Sequence, residues 1–136
     1  MTTSFDKDLL LAIAQRKLVT FVGAGASLGV NQAGATQQFP SWQQLLKRLV
    51  EVLQPKDAKG ADRVQATIED GDLLDAADIA FRKLGKADFA DTVVQAVSVP
   101  KDACDLRLTK AIWGLKPRLV VTTNYDRVLQ WGGAGR

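Results

Sequence analysis

The sequence has no histidine, one cysteine, one methionine and one tyrosine among its 136 residues. Without histidine there is no imidazole to move protons near neutrality, and an ordinary carboxylate is a poor base there. A single cysteine, Cys104, rules out an internal disulfide and a cysteine-based zinc site, so no metal is expected and a reducing cytoplasm is the natural compartment. Cys104 itself reads as a small core residue. No stretch approaches the ~20 apolar residues of a membrane helix. The first residues, Met1-Thr-Thr-Ser-Phe-Asp-Lys-Asp8, place acids ahead of the apolar run and have no small-residue cleavage site, so they do not read as a secretory signal. Net charge is +3, but the 18 Lys and Arg are scattered among 15 acids with no basic block interleaved with aromatics. That pattern argues against direct nucleic-acid binding.

What remains is a chain of ordinary globular composition, 46% hydrophobic and 24% charged, long enough for one domain with a modest core. It is organised around Leu18-Val-Thr-Phe-Val-Gly-Ala-Gly-Ala-Ser27. Leu18 to Val22 is uncharged and rich in β-branched and aromatic residues, which predicts a parallel strand buried on both faces. Gly23 and Gly25 then allow a sharp turn and a close backbone approach to a ligand. A helix starting soon afterwards would favour an anion at that turn, and a dinucleotide pyrophosphate fits. The third glycine of the dinucleotide fingerprint is displaced to Gly29. An ordinary tight turn explains the glycines equally, and Ser27 reads either as a phosphate or ribose donor or as the cap of the next helix.

A second stretch, Arg118-Leu-Val-Val-Thr-Thr-Asn-Tyr-Asp126, repeats the pattern of a short buried strand ending in polar residues. In open α/β sheets that carboxyl edge is where ligands bind. Asn124 carries a donor and an acceptor suited to orienting ribose hydroxyls and a nucleophile. Asn124 and Asp126 also suit an Asx turn or a cap, Thr122 and Thr123 suit strand and turn positions, and Tyr125 can stack or pack.

Between these stretches lie helical patterns. Ser4 can cap a first helix with Asp6 and Asp8 in its first turn, Arg16 and Lys17 at its end, and Phe5, Leu9, Leu10 and Ile13 facing the first strand. Leu28 to Gln38 has no periodicity and reads as a mobile loop. Ser41 with Gln44 forms a capping box that opens a helix with Trp42, Leu45, Leu46, Leu49, Val50 and Leu53 on one stripe, stopped by Pro55. Lys56 to Gly60 reads as a polar connection, and Val64 to Ile68 as a short helix ended by Gly71. Asp72 caps a segment with Leu73, Ala77, Ala80, Phe81 and Leu84 in register, closed by Arg82, Lys83 and Gly85. Another helix begins at Asp88, with Phe89, Val93 and Val97 inward, and stops before Pro100. A further one runs from Asp102 through Cys104, Leu108, Ala111, Ile112 and Leu115, with Trp113 off the stripe as a packing residue or a partner contact. Arg127 to Gln130 reads as a first helical turn that Trp131-Gly-Gly ends at once.

The two strand-and-turn stretches together resemble the sirtuin family, and more closely the sirtuin-like domains of bacterial NAD-degrading antiviral defence proteins. The residues that carry the resemblance are Gly23-Ala24-Gly25-Ala26-Ser27, Phe39-Pro40-Ser41-Trp42 and Thr122-Thr123-Asn124-Tyr125-Asp126, in that order. The resemblance implies a Rossmann-like α/β fold, a parallel sheet with a large helical insertion at about residues 28–117, residues 1–136 being the N-terminal part of the domain. It implies NAD as substrate, held by Gly23, Ala24, Gly25, Ala26, Ser27, Thr123 and Asp126. Asn124 is then the catalytic asparagine, Asp126 meets the nicotinamide amide, and the loop after the glycine turn covers the cofactor. The expected reaction is hydrolysis of NAD to nicotinamide plus ADP-ribose. An NAD-dependent protein deacylase and a nucleotide-sensing module without catalysis are the alternatives, and the missing four-cysteine zinc module of classical deacylases weighs against the first.

The sirtuin-like mechanism uses a histidine downstream of the second motif as general base, and this chain has none. Asp126 and Asp91 are substitutes that nothing in the spacing singles out. Moreover, about 100 residues separate Gly23 from Asn124 without a convincing further strand, where a simple βαβ unit needs about 30. Two strands do not make a stable doubly wound sheet. The expectation is therefore a sheet incomplete in this chain, with further strands and the histidine beyond Arg136, or with other domains or subunits covering the open edge in an oligomer.

Overall fold

The computed structural model describes residues 5–133, so Ser4, the expected first cap, lies outside the described residues. In chain order the elements are α1 (Lys7–Ala14), β1 (Val19–Val22), α2 (Gly25–Leu28), α3 (Trp42–Leu53), α4 (Ala58–Glu69), α5 (Leu73–Leu84), α6 (Lys86–Val97), a 3-10 turn (Lys101–Ala103), α7 (Arg107–Gly114), β2 (Leu119–Thr122) and α8 (Val128–Gly133). They fall into two compact units, one of Met1–Gln38 with Pro100–Arg136 and one of Phe39–Val99.

In the first unit the two expected strands are hydrogen-bonded neighbours and parallel, with Val19 opposite Leu119 and Val22 opposite Thr122. Their carboxyl ends therefore share one edge. Val22, Ala26 and Leu129 form a small core beneath that edge, with Ile112 and Val120 packed against it. The expectation that β1 is buried on both faces is not met, since Phe21 is 78% exposed and Val19 and Leu119 are also exposed. The expected cover is absent: α1 buries no residue, and Leu9, Leu10 and Leu11 all remain exposed. Its cap is Asp6, whose carboxylate accepts from the N–H groups of Asp8 and Leu9. The helix ends at Ala14 with Gln15 as its C-cap, so Arg16 and Lys17 lie beyond it.

Two further expectations fail in this unit. The helix from Asp102 is instead a 3-10 turn, after which Cys104 is extended and bridges antiparallel to Asn31. Asp105 then turns the chain by accepting from the Arg107 N–H, so α7 starts only at Arg107. The same bridge anchors the aperiodic loop after α2: the Asp105 N–H donates to Val30 O at 2.8 Å, and Val30 is fully buried. Finally, α8 continues through Gly132 and Gly133 rather than stopping. A Cβ on Gly132 would lie 2.5 Å from Thr109 Oγ1 and 2.9 Å from the Thr109 backbone carbon, and one on Gly133 would lie 3.0 Å from the Trp113 ring. These glycines let α8 approach α7, and Trp113 Nε1 donates to Leu129 O at 2.8 Å across the same contact.

The second unit is helical with its own core, formed by Leu46, Leu49 and Leu53 of α3, Ala61, Val64 and Ile68 of α4, and Ala76, Ile79, Ala80 and Leu84 of α5. The capping box of α3 is present in both directions, Gln44 N–H to Ser41 Oγ and Ser41 N–H to Gln44 Oε1. Asp72 caps α5 as its position suggests. The inward stripe of α5 is rotated from expectation: Ala76 and Ile79 are buried, while Phe81 is partly exposed and meets Phe89 edge-on at 5.3 Å. α6 begins two residues before Asp88, at Lys86.

α4 is the largest correction in this unit, a full helix from Ala58 where a polar connection and a short helix were expected. Asp57 starts it by accepting from the Gly60 N–H at 2.9 Å, and a Cβ at Gly60 would lie 2.5 Å from Asp57 Oδ2, so a larger residue there would push the capping carboxylate aside. Lys83, at the end of α5, pairs with the same carboxylate at 3.0 Å.

Two predictions follow from this packing. Gly132→Ala drives a methyl into the Thr109 backbone, which cannot yield as a flexible side chain would, and should cost about 1–3 kcal/mol by overpacking. It is read as a lower Tm in thermal denaturation, and an unchanged Tm would remove the argument for close α7–α8 approach. The second is acid-dependent. The Gly60 N–H, and then Lys83, hold the Asp57 carboxyl below the usual carboxylate range. A lowered folded-state pKa contributes stability above the unfolded value, about 3.9, and loses it as pH falls through the folded value. Circular dichroism melts should therefore show Asp57→Asn less acid-sensitive than the parent below about pH 4, and parallel pH curves would refute the assignment.

Candidate functional site

The shared carboxyl edge of β1 and β2 is where chemistry-bearing residues gather. Parallel pairing in this register sets the Gly23–Ser27 turn beside the Thr122–Asp126 turn, and side chains then stitch the two together. Thr122 Oγ1 donates to Val22 O at 2.8 Å and accepts from the Asn124 N–H at 3.0 Å. That pair of bonds bends the chain just past β2 and aims Asn124 back across the edge. Asn124 Nδ2 donates to Gly23 O and to Ser27 Oγ, both at 2.9 Å. Ser27 Oγ in turn donates to Asp126 Oδ2 at 2.5 Å, and Asp126 Oδ1 accepts from the Val128 N–H at 2.9 Å. Ser27 is 6% exposed, at the floor of the arrangement. Residues nearly 100 positions apart in sequence thus form one continuous network.

The structure brings together Gly23, Ser27, Asn124 and Asp126 of the expected site. Ser27 does not cap the following helix: it lies inside α2, whose N-cap is Ala24. Its hydroxyl hydrogen is committed to Asp126, so in this state it accepts rather than donates toward a ligand. Asp126 accepts from the Val128 N–H at the start of α8, as the turn or cap reading has it, and also accepts from Ser27 across the edge. Thr123 is exposed beside the network, and Tyr125, 78% exposed, neither stacks nor packs. The N–H groups of Ala26 and Ser27 are used within the turn, on Gly23 O and Ala24 O. An anion at this turn accordingly relies on the amides of Gly23, Ala24 and Gly25.

Gly23 and Gly25 have backbone angles open to any residue, and an added Cβ on either meets no atom within 4 Å. Their glycine identity is therefore required neither by the turn nor by packing within the chain. The space beside them is open, as a site for an incoming pyrophosphate needs.

Cys104 was expected only as core, and it is buried and close enough to the site to feel Asp126. Burial first, and the Asp126 charge second, push its thiol above the ordinary range, so it stands as a neutral neighbour of the carboxylate. Nothing in the sequence spacing signals this, because the Asn31–Cys104 bridge that seats it joins two segments without strand patterns. Among the described residues no group of three or more His, Cys, Asp or Glu side chains is placed to hold a metal, and no helix is long and apolar enough to cross a membrane.

Chemically the arrangement offers acceptors. Both Asn124 amide hydrogens are spent, leaving its Oδ1, and the Asp126 carboxylate retains lone pairs beyond the two in use. Such a set suits hydroxyl and amide donors of a ligand above an open glycine turn. No family model, curated protein or solved structure matches the chain.

Proposed function

We propose that the carboxyl edge of β1 and β2 binds NAD and that the chain belongs to a sirtuin-like NAD glycohydrolase, which cleaves NAD to nicotinamide plus ADP-ribose. The observation that supports this reading best is the network Gly23–Asn124–Ser27–Asp126, because it joins the two motifs that carry the sirtuin-like resemblance. In this reading the sheet is Rossmann-like, and the helices between β1 and β2 are the family's insertion. The pyrophosphate lies against the bare backbone of Gly23 and Gly25. Asn124 Oδ1 accepts from a ribose hydroxyl or the attacking water, and Asp126 accepts from the nicotinamide amide.

In the reaction water adds to the ribose carbon as its bond to nicotinamide breaks, and positive charge grows on the ribose as in glycoside hydrolysis. The attacking water must lose a proton, and a histidine-free chain has only carboxylates for this. Asp126 is the nearest, but its Oδ2 already holds the Ser27 hydrogen. A nucleotide-sensing module that binds NAD without turnover is the second reading, and this missing base is what favours it.

Calorimetry with intact NAD tests the shared part of both readings. A Cβ at Gly25 meets no protein atom within 4 Å, so Gly25→Val places its branched side chain in the space given to the ligand and should weaken NAD binding tenfold or more. Asn124→Ala should leave affinity within a few-fold while abolishing any turnover, because it acts at the reacting ribose. Equal loss of affinity in both variants would remove the role given to Asn124, and absence of NAD binding would remove the proposal.

A separate assay addresses catalysis. Residues 1–136, purified and incubated with NAD, should release nicotinamide slowly or not at all. Robust release that disappears in Asn124→Ala would mean that a carboxylate of this chain serves as the base.

A further inference from the structure

The opposite, amino-terminal edge of the same two strands carries a second concentration of chemistry. Among the described residues, Arg16 at φ 53° and Lys116 at φ 50° are the non-glycine positions with left-handed backbone. Each stands just past a helix that feeds a strand, Arg16 between α1 and β1, Lys116 between α7 and β2. Their N–H groups close the helix ends, Arg16 on Ile13 O and Lys116 on Trp113 O. Glycine takes this position without steric conflict and is its usual occupant. Here both positions hold long cations instead.

A third cation joins them. The Arg118 N–H donates to Leu18 O at 2.8 Å, which ties the entries of the two strands together. Arg16, Lys116 and Arg118 line one cavity of about 730 Å³ with Trp113, Gly114 and Pro117. None of the three cations pairs with a carboxylate among the described residues, whereas Lys56, Arg82, Lys83 and Arg107 all do. Cations beside helix C-termini are favourable in themselves, which accounts for Arg16 and Lys116 singly. It does not account for Arg118, nor for three unpaired cations facing one concavity, where they repel one another. The helix ends offset only part of this: two termini of about −0.5 each against three full charges leave about +2.

We propose that this cavity binds a nucleoside di- or triphosphate, with the phosphates on Arg16, Lys116 and Arg118 and the base against the Trp113 indole. The charge matches two or three phosphates, and the volume lies within the roughly 300–1,000 Å³ typical of small-ligand pockets. Guanidinium groups grip phosphate oxygens in pairs, and lysine adds a point charge. The indole is held at its Nε1 by Leu129 O, so it is a pre-oriented wall. This site lies at the sheet edge away from Ser27, Asn124 and Asp126 and does not depend on the NAD reading.

The test is calorimetric titration of the chain with ADP, ATP and inorganic pyrophosphate, repeated on Lys116→Gly, Arg118→Gln and Gly25→Val. ADP and ATP should bind saturably and more tightly than pyrophosphate. Lys116→Gly and Arg118→Gln should each weaken them about tenfold, whereas Gly25→Val, which obstructs the carboxyl edge, should leave this binding in place. Lys116→Gly is the discriminating variant, because glycine suits the left-handed backbone: its Tm should stay level or rise while nucleotide affinity falls, a combination that a purely structural lysine would not produce. No saturable ADP or ATP binding at millimolar concentration would overturn the proposal. So would binding that Gly25→Val removes and Lys116→Gly spares, pyrophosphate binding as tightly as ADP, or a single-stranded oligonucleotide outcompeting ADP with the same dependence on Lys116 and Arg118.

Discussion

The candidate site depends on one contact, the pairing of Val22 with Thr122 at the end of a two-stranded parallel ladder. Thr122 spends its hydroxyl on Val22 O and on the Asn124 N–H, so the same side chain locks the strand end and sets the turn that follows. Side chains in a strand alternate between faces, and a slip of one residue would send Thr122 to the wrong side of the sheet and Asn124 with it. The small core of Val22, Ala26 and Leu129 holds this junction from below, making the turn after β1 and the helix after β2 parts of one packed body. Four residues per strand is little pairing for so much dependence, and the side-chain bonds between the two turns supply the rest.

The glycines of the chain divide by what they touch. Gly60 and Gly132 lie against atoms of the chain itself: the first against the carboxylate that caps its own helix, the second against the backbone of a neighbouring helix. Gly23 and Gly25 face open space. The contrast separates glycine used to let protein approach protein from glycine that leaves backbone bare toward something else. It also corrects the usual first explanation of a glycine turn, since neither Gly23 nor Gly25 adopts a conformation that other residues avoid.

Legibility in the sequence followed the range of the interaction concerned. Both strands, the α3 capping box and the Asp72 cap could be read directly, because each is written in adjacent or nearly adjacent residues. α4 could not, since Gly60 looks like a breaker until its place against Asp57 is known. The extension of α8 through Gly132 and Gly133 depends on Thr109 and Trp113, about 20 residues back along the chain, and the seating of Cys104 depends on Asn31. The Ser27–Asn124–Asp126 network was legible only as a list of polar residues at two strand ends; that they bond to one another follows from the register. Full burial of β1 was expected from its composition alone, and composition does not reveal whether a covering helix is there.

Closing a parallel pair across 100 positions is slow in principle, because the ends of a long flexible loop must meet before any ladder bond forms. The loop here is not uniformly flexible. Phe39–Val99 has its own core and mostly local helix–helix contacts, the kind that assemble in microseconds to milliseconds. Once it has formed, only the short segments flanking it remain to be ordered, and each halving of free loop length lowers the closure cost by only about 0.6 kcal/mol. The thermodynamic saving is small, so the gain from an early-forming helical unit is kinetic: it shortens the search by which β1 finds β2 and limits the time their apolar edges stay open.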